Sequence, residues 1–108
     1  MFRLLLLLTV TLGAFSPVFA QATATLSGVV ADASGAAIAD AELRLHQPVT
    51  GVELSVKTAP DGGFQFTNVP FQTYRLTVRR PGFQAHSREI SLRSNIPVSI
   101  SVQLTVAG

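Results

Sequence analysis

The sequence predicts an all-β fold, an antiparallel sandwich of about seven short strands, and three observations carry that prediction. Apolar residues recur at every second position in one segment after another, turn residues break these runs about every 8–12 residues, and no segment beyond residue 20 keeps a helical period. At 108 residues the chain has room for one small domain.

The first strand is expected over Thr23 to Ala31, with Leu26, Gly28 and Val30 on one face and Thr25, Ser27 and Val29 on the other. A glycine inside a strand weakens it, so Gly28 marks a place where another backbone or a large ring comes close. Asp32, Ala33, Ser34 and Gly35 make a turn, and Ala36 to Asp40 is a passage of small residues without a strong preference. In the second strand Ala41, Leu43 and Leu45 point inward, against Glu42, Arg44 and His46 outward. Pro48 and Gly51 bound the next connection. Val52, Leu54 and Val56 then alternate with Glu53, Ser55 and Lys57, as in an antiparallel strand with one wet face.

Pro60, Asp61, Gly62 and Gly63 supply the fixed φ, the side-chain acceptor and the positive φ of a tight hairpin. Phe64 and Phe66 begin the strand after it. An irregular crossing at Asn68, Val69 and Pro70 leads to Tyr74, Leu76 and Val78, so these aromatic and aliphatic residues form core faces. A buried Tyr74 requires a partner for its hydroxyl. Arg80, Pro81, Gly82 and Phe83 suit a type II turn, and Ser87 to Leu92 reads as a strand with Ile90 and Leu92 inward. The clearest alternation is the last, in which Val98, Ile100, Val102, Leu104 and Val106 interleave with Ser99, Ser101, Gln103 and Thr105.

Residues 1–20 stand apart as a secretory signal peptide, with Arg3 as its charge, an apolar run from Leu4 to Leu12, and cleavage expected after Ala20. A membrane-spanning helix needs about 20 apolar residues, and Gly13, Ser16 and Pro17 interrupt the run before that length. The domain is therefore placed at residues 21–108, and the protein is expected to be exported, to the periplasm, the outer membrane or the medium. There is no cysteine, which excludes both lipidation and the disulfide staple of many small secreted domains. The core alone must hold the fold together. With Arg3 in the leader, seven of the eight basic residues remain against six acidic ones, a formal +1 that offers no footprint for nucleic acid.

Read in order, Leu26 to Asp32 with Ser34 and Gly35, Ala41 to Leu45, Thr58 with Asp61 to Phe66, Val69 and Pro70, Tyr74 to Val78, and Pro81 to Phe83 resemble the carboxypeptidase regulatory-like domain. That resemblance implies a transthyretin-like (prealbumin-like, immunoglobulin-like) β-sandwich acting as a non-catalytic appendage. The family usually places a proline and a glycine before the threonine and tyrosine, where this chain has Phe71 and Gln72, so the turn must be made without glycine's freedom. Behind a signal peptide, such a domain is similar to the periplasmic N-terminal extension of a TonB-dependent outer-membrane receptor. A plug and barrel would then be its partners, and the membrane would be reached only through the barrel. The chain is expected to be either a fragment of such a receptor or a stand-alone relative.

His46 shares its face with Glu42 and Arg44, His86 lies near Arg88, and neither has a second ligand at useful spacing, so no metal is expected. No serine stands in a nucleophile motif, Asp32 and Asp61 are turn formers, and neither a catalytic residue nor a cofactor is expected. Carbohydrate binding is the alternative function, and it would use Phe71 and Phe83, the two mature-chain aromatics placed on turns. The preferred function is a structural or protein-interaction module that docks through loops or a strand edge, with Val98, Ile100, Val102 and Leu104 as the candidate pairing edge. A central position for that strand is the competing expectation.

Overall fold

Period-two alternation becomes seven strands in the computed structural model, which describes residues 22–108 and, before them, Gly13 alone. The signal peptide and its cleavage site lie outside the described residues. The strands are β1 (Thr23–Asp32), β2 (Glu42–His46), β3 (Glu53–Lys57), β4 (Gly63–Pro70), β5 (Gln72–Arg79), β6 (His86–Leu92) and β7 (Val98–Leu104). They form a three-stranded sheet in the order β4-β1-β7 and a four-stranded sheet in the order β3-β2-β5-β6. Among the described residues there is no helix.

The inward rows meet between the sheets. Leu26, Leu43, Leu45, Leu76 and Leu104 are fully buried together with Tyr74, Val30, Val69 and Val78, and burying each such aliphatic side chain contributes about 1.5–3 kcal/mol. Phe64 and Phe66 pack edge to face with centroids 6.2 Å apart. The Tyr74 hydroxyl donates to the Pro70 carbonyl at 2.7 Å, and burial pushes its pKa upward. One row overruns the expectation: β7 ends at Leu104, and Val106 is 65% exposed. Beyond Leu104 the chain leaves β1 and pairs with the segment after β5, where the Gln84 amide donates to the Thr105 carbonyl and the Ala107 amide to the Gly82 carbonyl.

Two further expectations are corrected. The turn at Pro60 to Gly63 does reverse the chain, with Gly62 donating to the Ala59 carbonyl at 2.8 Å and Gly63 to the Asp61 carboxyl at 2.8 Å. It does not close a hairpin, because β3 and β4 belong to different sheets. Thr58 secures the crossing instead: its buried hydroxyl donates to the Ile38 carbonyl at 2.6 Å and accepts from the Ala41 amide at 2.9 Å. Asn68 to Pro70 belong to β4, where a bulge opposite Thr25 puts Asn68 at φ 55°. The corner to β5 falls at Phe71, and neither Phe71 nor Gln72 needs a positive φ.

The pairing is antiparallel throughout except that β1 and β7 run parallel, in unbroken register from Leu26 opposite Val98 to Asp32 opposite Leu104. No tight turn joins the first strand to the last, so nothing local imposes an antiparallel direction. Gly28 sits at the centre of the sheet, opposite both Phe64 and Ile100. A Cβ there would overlap the Ile100 carbonyl oxygen and stand 3.0 Å from the Phe64 ring. Gly28→Val is therefore expected to destabilise the fold by about 3 kcal/mol, the top of the usual overpacking range. Urea unfolding checks this, and a loss under about 1 kcal/mol would contradict the close approach.

The turn after β1 makes a second prediction. Asp32 Oδ1 accepts from the Ser34 amide at 2.9 Å, the Ser34 hydroxyl at 2.6 Å and the Ala36 amide at 3.0 Å. The Ser34 hydroxyl is the main cause that holds the carboxyl below its ordinary value of 3.8, outweighing its slight desolvation, with backbone amides adding to the effect. A depressed native value means that Asp32 stabilises the fold above the unfolded value and that this contribution is lost as pH falls below 3.8. The stability difference between the parent and Asp32→Ala should be constant from neutral pH to about pH 5 and shrink below about pH 4, as followed by circular dichroism. A difference that persists at about pH 2 would show that the charged carboxyl is not responsible.

Candidate functional site

The two sheets turn opposite chemistry toward solvent. On the four-stranded sheet, antiparallel register sets Glu53, His46, Arg75 and Glu89 in one row across the strands, and Lys57, Glu42 and Arg79 in another. Opposite charges alternate in the second row, and in the first Arg75 faces Glu89, both favourable cross-strand pairings. Arg44 bonds Glu42 at 3.0 Å and Glu53 at 3.1 Å, with all three about half exposed, so each pair stabilises by no more than about 1 kcal/mol. A shallow depression of about 430 Å³ on this face holds Arg44, His46, Arg75 and Thr77.

His46 is exposed on this outer face, whereas His86 occupies the inward row of β6 opposite Val78. The fold therefore does not bring the two histidines together. His86 Nε2 is buried without a hydrogen-bond partner, a feature that alternation in the sequence could not reveal. Among the described residues no group of three His, Cys, Asp or Glu side chains could hold a metal ion.

Phe71 and Phe83 are both half-buried and pack against the core. Phe83 borders an open groove of about 610 Å³ with Asp40, Lys57, Arg79 and Arg80. Arg80 is anchored there by donating Nε to the Ala39 carbonyl at 3.0 Å, and Asp40 adopts φ 58°.

The three-stranded sheet is the contrast. Its outer rows set Gln65, Ser27 and Ser99 side by side, then Gly63, Val29 and Ser101, then Ala31 and Gln103. These side chains are uncharged, and Val29 is 45% exposed. Val98, Ile100, Val102 and Leu104 line the inward row of β7, the last two buried and the first two half-buried. β7 itself is a sheet margin.

A seven-stranded, two-sheet sandwich belongs to the class of small all-β modules. The carboxypeptidase regulatory-like domain model matches residues 25–105, and the chain belongs to that family. No curated protein matches the sequence. Among solved structures the fold is similar to the minor pilin GBS52 of Streptococcus agalactiae, with a TM-score of 0.67 and 11% identity over 82% of this chain and 46% of that one. It is similar to the major pilin subunit BcpA of Bacillus cereus, at 0.64 and 15% identity over 80% of this chain and 31% of that one. It is also similar to 3-chlorocatechol 1,2-dioxygenase of Rhodococcus opacus 1CP, at 0.67 and 12% identity over 80% of this chain and 60% of that one. At such identities the likeness is one of fold, and the chain spans less than two thirds of each of these proteins.

The packing of the two rings predicts that Phe71→Ala and Phe83→Ala each lower stability by about 1–3 kcal/mol, short of the ~3–5 kcal/mol for a fully buried ring. Thermal unfolding of the two variants checks this. A variant as stable as the parent would mean that its ring does not pack against the core.

Proposed function

We propose that the chain is a non-catalytic interaction module of an exported protein, which holds a strand from outside the domain on the free margin of β7. One observation carries this: β7 is an edge strand of seven residues without a charge, a proline or a glycine. Edge strands present unpaired N–H and C=O groups and are ordinarily blunted, so a bare one has an affinity for further strands. The half-buried state of Phe71 and Phe83 favours docking over carbohydrate binding.

In its finer form the proposal places the domain at the periplasmic N-terminus of a TonB-dependent outer-membrane receptor, ahead of a plug and barrel. Support comes from the family and from the leader-like residues 1–20 in front of the domain. The coding sequence beyond Gly108 is expected to continue into those domains, and a stop codon there would end the receptor assignment. In the intact protein, amide exchange over Val98 to Gln103 is expected to be about tenfold slower than in the isolated chain diluted far enough to be monomeric. Exchange over β3 should be unchanged. Equal exchange at β7 in both would overturn the docking role.

A further inference from the structure

The four sheet margins differ in a way that names a partner for β7. β3 carries Glu53 and Lys57 on its wet face. β6 carries Glu89 outward, and it has Arg88 in the inward row opposite Leu76, an inward charge that discourages a further strand. β4 is broken by the bulge at Asn68 and ends at Pro70. Each of these three margins has a device that opposes edge-to-edge pairing. β7 has none, and its register with β1 is unbroken.

Just beyond this margin the chain is already paired, residues 105–107 with 82–84. What stays open is Val98 to Gln103. Its outward side chains are Ser99, Ser101 and Gln103, and its inward row begins with Val98 and Ile100, which the domain buries only in part. Just before it, Ile96 is 69% exposed.

We infer that the strand seated on this margin is β7 of a second copy of the chain, running antiparallel about a two-fold axis near Ile100. The inference rests on the docking role proposed above and specifies its partner. A two-fold pairing sets Ser99 of one copy opposite Ser101 of the other, and Val98 opposite Val102, with Ile100 meeting its own counterpart. No charge faces a charge, so the margin is compatible with itself. A foreign strand selected by charge would find no counter-charge to recognise. The pairing also covers the half-exposed Val98 and Ile100, and it joins two three-stranded sheets into a continuous one. A single pair of edge strands buries less than the ~1,200 Å² of a stable interface, so the dimer is weak, with a dissociation constant on the order of 10–100 µM.

Sedimentation of the full chain, expressed for export and purified, tests this between about 1 µM and 1 mM. The parent is expected to pass from monomer to dimer across that range. Ser99→Lys with Ser101→Lys sets like charges across the axis and should weaken the dimer at least tenfold, with an unchanged melting temperature. Ser99→Glu with Ser101→Glu should do the same, and an equimolar mixture of the two double variants should restore association as a heterodimer. Ser55→Lys with Ser87→Lys, on the charged sheet, should leave it intact. A parent that stays monomeric, or a lysine variant that dimerises like the parent, overturns the inference. So does a mixture without heterodimer. If the parent is monomeric while β7 is still protected in the intact protein, the docking role stands and its partner is a foreign strand. If β7 is protected in neither, both fail.

Discussion

The fold depends on how closely β1 can be approached at Gly28. Its sheet contains no two consecutive strands: β1 comes from the start of the domain, β4 from its middle and β7 from its end. No hairpin brings them together, so long loops must close before any contact in that sheet forms. With no cysteine to tie them, the three strands are held by backbone ladders and by what stands between them. At Gly28 the missing side chain admits the Phe64 ring from one side and the Ile100 carbonyl from the other. Phe64 then meets Phe66, and the pair covers the inward row that Leu26 and Val30 begin. A larger residue at this position would push apart two pairings at once.

A sheet built this way has consequences for its surface. Strands that approach closely over a glycine and short side chains make a flat outer layer of serine, threonine, glutamine and valine. The four-stranded sheet contains two true hairpins, β2 with β3 and β5 with β6, and carries the charged rows. A net charge near neutrality conceals this division, because opposite charges on one face cancel in the sum while the other face has none to contribute. The charged residues of the strands are therefore gathered on one side of the sandwich.

What could be read from the sequence was whatever repeats locally. Alternation located the strands to within a residue or two except at the end of β4, Gly28 announced its close contacts, and Tyr74 found the acceptor that burial demands. Long-range topology left no such trace. The turn at Pro60 to Gly63 has the chemistry of a hairpin whether it joins strands of one sheet or crosses between two, and only Thr58 bonding to Ile38 and Ala41 decides the matter. Val106 keeps the period of β7 after its neighbour β1 has ended, so period alone counted it inward. Phe71 and Phe83 sit at corners, where the faces of a strand no longer define inside and outside. The parallel pairing of first and last strands, which puts β7 at a margin, is a property of the whole chain and of no segment.

The same kind of sandwich is found in pilins and in a dioxygenase, so architecture by itself implies no chemistry. In an enzyme, function is concentrated in side chains that converge, and a search for bases, nucleophiles and ligands will find them. Here the histidines lie on opposite sides of one sheet, the carboxylates stiffen turns or balance arginines, and the aromatic rings complete the core. Besides the buried His86 Nε2, unused bonding capacity lies in main-chain amides and carbonyls along the sheet margins, β7 among them. Every residue carries those groups, so no residue type marks them. The distinguishing mark is the absence of what protects the other three margins, and that absence has meaning only once the strand order is known.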